Sequence, residues 1–215
     1  MVEGMRTFGQ VVQIQIIACR SLNKLIAADG EKRDQAWKAG GLAAVLAAME
    51  MHGTVEELYT EAVAALCHMA RYSSEHNKAQ KEKFGDSGGI EKITAGMRAR
   101  KADVEVQKLA CMALHNLAGL SFNGEKIAAA AGIESILEAM QRHAHQDIQL
   151  HGCGALQALT ILADNRSRAV AAGATELLVA AMAKFPNDVR LAEMASGALV
   201  NVGCGAFSPC TQALY

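Results

Sequence analysis

The stretch Val106-Gln107-Lys108-Leu109-Ala110-Cys111-Met112-Ala113-Leu114-His115-Asn116-Leu117-Ala118 decides the fold. With Leu114 as position 0, the apolar or small residues at −8, −4, −1, 0 and +3 are Val106, Ala110, Ala113, Leu114 and Leu117. They share one face of an α-helix, and that face is too wide for a helix lying on a surface. Such a helix has to be covered from more than one side.

Copies of the stretch centre on Leu22, Leu66, Leu156 and Leu199. With Leu114 included, successive centres are 44, 48, 42 and 43 residues apart. A methionine recurs ahead of each centre, as Met5, Met49, Met97, Met140 and Met182, and a glycine recurs as Gly41, Gly89, Gly132 and Gly173. Three landmarks sharing one period near 40–47 residues indicate stacked helical units.

The pattern predicts three helices per unit. The first is short and polar, over 31–39, 78–86, 124–131 and 166–172, and the glycine ends it. The second runs from the glycine to just past the methionine. Ile133, Ile136, Leu137 and Met140 show its apolar face at i, i+3, i+4 and i+7. The third is the opening stretch and its copies, over 10–28, 55–71, 104–119, 147–163 and 188–203. The chain then divides into a repeat domain, 1–203, and a C-terminal tail, 204–215. The domain comprises a partial repeat 1–28 and full repeats 29–72, 73–120, 121–163 and 164–203.

Position −4 of the third helices is Ala18, Ala62, Ala110, Gly152 and Ala195, small residues that let the next helix come close. Gly152, Gly154 and Gly197 lie inside helices, where glycine costs about 1 kcal/mol relative to Ala, and each requires a packing reason or a bound backbone. Solenoids normally close with polar caps. Here Ile14, Ile16 and Ile17 at one end and Leu199 and Val202 at the other are expected to be undercovered. Either the chain is a segment of a longer one or a partner covers an end.

Composition agrees with this reading and narrows the function. Apolar residues are 51% of the chain and aromatics only 4%, so the core is built from Ala, Leu, Ile, Val and Met. A net charge of −1 gives no global field for nucleic acid or an acidic membrane. No apolar run approaches the roughly 18 residues of a membrane span. The first ten residues lack the basic and apolar blocks of a secretory leader. Cys19, Cys67, Cys111, Cys153, Cys204 and Cys210 form no CxxC pair, which points to free thiols and a reducing, cytoplasmic setting.

The Ala-Leu-x-Asn-Leu-Ala third helix, the Ala-Gly-Ile turn at 131–133, Ala-Met-x-x-His at 139–143 and Ile-Gln-x-x-Gly-Cys-x-Ala-Leu at 148–156 resemble armadillo repeats. The variant is similar to the armadillo regions of leucine-rich-repeat kinases and of armadillo repeat-containing proteins. The resemblance implies an all-α fold, a right-handed α-solenoid of three-helix armadillo-type repeats. It also implies a groove along the third helices, in which an Asn at +2 holds a bound peptide backbone. At +2 this chain has Lys24, His68, Asn116, Ala158 and Asn201, so only Asn116 and Asn201 carry over. The tryptophan that importin alpha carries at −2 is replaced by Arg20, Ala64, Met112, Gly154 and Gly197. The sole tryptophan, Trp37, falls on a first helix. This argues against lysine-rich nuclear import signals as ligands.

Helical geometry places −6, −5, −2 and +2 on the open side of the third helix. The expected partner-binding residues are Asn116, Asn201, Met112, Lys108, His68, Lys24, Arg20, Glu61, His151 and Glu193, with Ile16, Ile17, Leu109 and Leu150 at neighbouring open positions. The lining is mixed in charge. It suits an extended or helical protein segment better than a phosphate backbone, which requires clustered Lys and Arg. The run Lys78, Lys81, Lys83, Lys92, Arg98, Arg100, Lys101 and Lys108 is interleaved with Glu82, Asp86, Glu91, Asp103 and Glu105. It reads as a solvated face, or more sharply as a patch for an acidic partner.

Chemistry is sparse. His143, His145, His151 and Cys153 lie close in sequence, but with no established metal-ligand spacing. Cys19, Cys111 and Cys153 all occupy position −3 and read as small core residues, which leaves Cys204 and Cys210 in the tail as the candidate reactive thiols. No phosphate loop or hydrolase, zincin or kinase signature appears. The expectation is a non-catalytic protein-binding scaffold, with no cofactor, metal, nucleic acid, membrane insertion or small-molecule substrate. Two alternatives stand beside it: a structural subunit of a large axonemal or organellar assembly, and a regulatory fragment of a multidomain enzyme such as a kinase.

Overall fold

The computed structural model describes residues 1–71 and 77–206. Among them are α1 (Val2–Thr7), α2 (Val12–Ala28), α3 (Gly30–Lys38), α4 (Gly41–His52), α5 (Glu56–Ala70), α6 (Asn77–Asp86), α7 (Gly89–Ala99), α8 (Val104–Ala118), α9 (Ser121–Ala129), α10 (Gly132–Arg142), α11 (Gln146–Leu159), α12 (Ala163–Ala171), α13 (Ala174–Lys184) and α14 (Val189–Ala206). No strand occurs among the described residues. The third helices α2, α5, α8, α11 and α14 pack each on the next, the second helices α1, α4, α7, α10 and α13 form a second row, and the first helices are wedged beside them.

The third-helix face is buried as its pattern requires. Val106, Ala110, Ala113, Leu114 and Leu117 have no solvent exposure, and neither do Leu58, Ala62, Ala65, Leu66 and Met69 one unit earlier. Coverage thins toward the ends, where Leu25 is 42% exposed and Leu199 is half-buried. Two residues expected to be undercovered are in fact covered: Ile16 and Val202 are buried, on helices α2 and α14 that pack against α5 and α11.

Two expectations about the turns change. The glycine landmark does not itself make the turn in three units. The left-handed residue is Gly40, Gly88 or, in one unit, Ala131, each one position before the landmark; only Gly173 is itself left-handed. Gly41 and Gly132 are small for another reason. A Cβ on Gly132 would lie 2.7 Å from the Ile127 carbonyl oxygen, and one on Gly41 would lie 2.9 Å from that of Ala36. The first helices also start earlier than expected, at Ser121 and Ala163 in α9 and α12. Leu120 and Leu162 break the chain in extended conformation and so end the third helix before them. At the far end α14 continues to Ala206 instead of stopping at Gly203, since a glycine alone does not end a helix.

A buried glutamine at position −7 fastens the second helix to the third. Gln107 Nε2 donates to the carbonyls of Met97 and Arg100, Gln149 to those of Met140 and His143, and Gln15 to those of Met5 and Phe8. Each therefore satisfies carbonyls that a helix C-terminus leaves without partners. Trp37 is buried beside Phe84, and its indole donates to the Met69 carbonyl at 3.2 Å.

Leu114 sits at the centre of this stack with no exposure. Leu114→Ala is expected to lower unfolding free energy by about 2–5 kcal/mol in denaturant titration; a loss under ~1 kcal/mol would mean that the face is not the packed one.

Candidate functional site

An open cleft of about 690 Å³ lies between the C-terminal halves of α8, α11 and α14, with α6 at its rim. Lys81, His115, Asn116, Gln157, Ile161 and Asn201 line it. Its shape follows from a relation between adjacent third helices. The residue at +1 of one helix lies over the glycine at −2 of the next. A Cβ on Gly154 would be 2.5 Å from Cε1 of His115 and 2.8 Å from the sulfur of Met194, and one on Gly197 would collide with the Gln157 amide. This is the packing reason for both helical glycines. Gly152 has its own: its Cβ would be 2.5 Å from the Met140 sulfur.

The +2 row is not uniform. Asn201 Nδ2 donates to the Gln157 carbonyl at 2.9 Å and to Thr160 Oγ1 at 3.3 Å, so its amide is spent on the neighbouring helix. Asn116 holds the same position two third helices earlier, yet its buried Nδ2 has no partner. The residue corresponding to Thr160 on the preceding helix is Ala70, which offers no hydroxyl. His68 likewise has a buried Nδ1 without a partner. Lys24 is exposed, and Ala158 is half-buried in the cleft wall.

The remaining expected residues divide by environment. Arg20 is held by Glu57 at 2.6 Å and Glu61 at 2.7 Å, and Lys108 by Glu105 at 2.6 Å. Met112 packs at the edge of the core and Glu193 is exposed. Ile16, Leu109 and Leu150, placed on the open side by the repeat pattern, are buried, because adjacent third helices cover that flank. The basic run is mostly consumed between units: Lys92 pairs with Glu50, Lys101 with Glu138 at 2.7 Å, Arg98 donates to the Ala130 carbonyl, and Arg100 donates to the Gly53 carbonyl and lies over the Tyr59 ring. Of that run, Lys81 reaches the cleft.

His115, Gln157 and Ile161 do not emerge from the −6, −5, −2 and +2 positions. At about 100° per residue, +1 falls about 60° from −2 on the helix surface, so the helical wheel alone contains the signal for His115 and Gln157, whereas Ile161 lies past the end of α11 and outside that pattern.

His115 and His151 face each other with Nδ1 atoms 3.3 Å apart and ring centroids 5.6 Å apart. In that contact one nitrogen donates and the other accepts. Burial, with His151, Arg190 and Lys81 nearby, pushes the His115 imidazole down to about 4. His151 is also lowered, first by burial and then by Arg190 and Arg71, with Asp147 opposing. Burial raises the thiols of Cys19, Cys67, Cys111 and Cys153 to about 12, far from the thiolate that reactivity requires. Cys204 and Cys210 lie outside the residues whose side chains are described. His143, His145, His151 and Cys153 do not converge. His143 contacts the Lys101 carbonyl at 2.7 Å and His145 accepts from the Asp147 amide. Among the described residues no group of three or more His, Cys, Asp and Glu is placed to hold a metal. No helix among them is long and apolar enough to cross a membrane.

No protein-family model matches the chain, and no curated protein matches it. Solved structures do. An engineered protein shares 23% identity and a TM-score of 0.77 over 95% of this chain and 80% of that chain. A designed armadillo repeat protein in complex with the peptide (KR)4 aligns at a TM-score of 0.75 and 18% identity, over 99% of this chain and 89% of that one. A structure concerned with the interaction between cadherin and beta-catenin aligns at 0.58 and 14%, over 95% and 52%. These likenesses show the fold, a right-handed, all-α solenoid of three-helix armadillo-type repeats.

Because the unfolded imidazole takes up its proton near pH 6.5 and the folded one only near 4, the unfolded state binds more protons between these values. Stability is therefore expected to fall as pH drops from 6.5 toward 4, by at most about 1.4 kcal/mol per pH unit for this group. Thermal melts across that range check it: His115→Gln should flatten the decline, and an unchanged slope would remove His115 as its source.

Proposed function

We propose that the chain is a non-catalytic scaffold that binds a segment of another protein in the cleft along α8, α11 and α14. The observation carrying this reading is the buried Nδ2 of Asn116, a donor without an acceptor beside an open cleft. Leaving such a donor unsatisfied costs about 1–3 kcal/mol, and a carbonyl from a bound segment removes that cost. Met112, His68, Lys108 and His151 flank it on neighbouring turns and helices, and Lys24, Arg20, Glu61, Glu193 and Asn201 extend the surface toward the two ends. Adaptable methionine at −2 suits a protein surface. The lack of a clustered Lys and Arg face argues against nucleic acid. The designed relative that holds a peptide is consistent with an extended occupant. Four buried free thiols fit a reducing compartment.

Replacing Asn116 and Met112 together by Ala is expected to weaken a partner recovered by affinity purification by tenfold or more, read by isothermal titration. Equal affinity for the variant would place the interface elsewhere.

A second reading rests on a different place. A cavity of about 430 Å³ between α1, α2 and α3 is lined by Met1, Val2, Leu22, Leu25, Ile26 and Ala36. In a later unit α9 occupies the corresponding place, against α10, α11 and α12. A helix seated here from outside would make the chain a fixed subunit of a larger assembly, or part of a larger enzyme. Light scattering separates the two: a groove binder stays monomeric at high micromolar concentration, whereas a chain held by its end self-associates or precipitates until that helix is supplied.

A further inference from the structure

We propose that the cavity between α1, α2 and α3 is a socket for one amphipathic helix of another protein. The helix seats there as a first helix seats in the later units, with a large apolar residue in its last turn. This inference rests on the second reading above, a chain held at this end, and it adds the chemistry of what holds it.

The socket repeats a joint that the fold builds elsewhere. At +3 of the third helices, Met69, Leu117 and Leu159 have no exposure, whereas Leu25 at +3 of α2 is 42% exposed. Over α11 the cover comes from α9, which also meets α10 and α12. A Cβ on Gly124 of α9 would lie 3.7 Å from Cδ2 of Leu159. In the repeat, α1, α2 and α3 correspond to α10, α11 and α12, and the place equivalent to α9 is the cavity of about 430 Å³. Five residues before the next second helix, α6 and α9 each bury a large anchor, Phe84 and Ile127, with no exposure. Val2, Leu22, Ile26 and Ala36 line the cavity and offer an apolar bed for a side chain of that kind.

The donors at its wall fit the same joint. Successive first helices are tied by side chains nine and six residues before the second helix. Asn123 donates to the Lys81 carbonyl and Asn165 to that of Gly124, while Lys126 donates to the Gly85 carbonyl and Arg168 to that of Ala128. All four acceptors are main-chain carbonyls of the first helix before. Gly85 and Ala128 lie in its last turn, where carbonyls lack an intrahelical partner. In α3 the same two positions are Lys32 and Gln35, and both line the cavity. The contacts they make run along α3: Lys32 to Asp29 at 3.5 Å, and Gln35 to Glu31 at 3.3 Å, both at the surface. An entering helix offers them the carbonyls that α6 and α9 offer to α9 and α12. A second copy of this chain has no such helix to give, since α3, α6, α9 and α12 are each packed on the second helix that follows.

The probe is a fluorescein-labelled peptide of residues 120–131, α9 with its flanks, made helical by a lactam between Glu125 and the side chain introduced by Ala129→Lys. Both positions are exposed in α9, and a helix this short is marginal in water without such a bridge. Anisotropy titration with the full chain is expected to give saturable one-to-one binding, weakened about tenfold or more by Ile127→Glu in the peptide. In the chain, Leu25→Glu is expected to weaken binding about tenfold and Gln35→Ala about threefold, each variant checked for folding by circular dichroism. No binding, or undiminished binding to folded Leu25→Glu, overturns the proposal. So does a chain that dimerises alone in light scattering through a contact that Leu25→Glu breaks, because a second copy then fills the socket. If the Ile127→Glu peptide binds as well as its parent and Leu25→Glu weakens both, the seating is wrong while the reading of a chain held at this end stands.

Discussion

Everything in this structure depends on one demand: each third helix is buried from two sides by near-copies of itself. A helix clamped in this way has little room at the positions where its neighbours come closest. Ala62, Ala110, Gly152 and Ala195 at −4 are all buried and all small. Larger side chains are pushed to 0 and +3, where Leu66, Leu114 and Leu156 are fully buried; each such leucine is worth about 1.5–3 kcal/mol relative to exposure. The buried glutamines at −7 follow from the same demand. Once the second helix is drawn against the third, its last carbonyls are shut away from water, and a side-chain amide must meet them.

The close stacking also shapes the cleft. Glycine at −2 in α11 and α14 lets the preceding +1 side chain lie flat across the next helix, so His115 and Gln157 become part of the wall. A large side chain at −2, as in the tryptophan pattern of the resembled family, would occupy the space that these two now hold. The surface that results is shallow and wide, presents side-chain donors, and sits beside two exposed aliphatic residues. It differs from a tryptophan-lined groove because of a packing choice between helices, with the fold unchanged.

The sequence made the repeat, the helix types and the buried face legible, since all three are periodic and periodicity survives without coordinates. Leu114, Ala110 and Cys111 could be assigned from register alone. What escaped depends on how one unit meets the next. The −6 and −5 positions of Leu150 and Leu109 look open on an isolated helix and are closed by the adjacent one. His115 and Gln157 look incidental until the glycine opposite is known. The left-handed turn at Ala131 is hidden because its conformation is unusual for a residue with a Cβ and is imposed by the helices on either side. The lysines and arginines between 78 and 108 read as a charged run, but their partners are carbonyls and carboxylates on other units, as in Arg98 to Ala130 and Lys101 to Glu138.

Asn116 and Asn201 show how finely that inter-unit dependence acts. The two have the same residue type and the same place in the repeat, and a resemblance-based reading treats them alike. Asn201 finds the Gln157 carbonyl and the Thr160 hydroxyl on the helix before it, and its amide is closed to a ligand. For Asn116 the corresponding helix carries Cys67 and Ala70, and the amide nitrogen stays without a partner although it is buried. A hydroxyl 41 residues earlier in the chain thus separates an amide engaged by the scaffold from one left without a partner. The opposite face of α8 carries the core, and Ala70 on the previous unit has no hydroxyl to meet its unfilled donor.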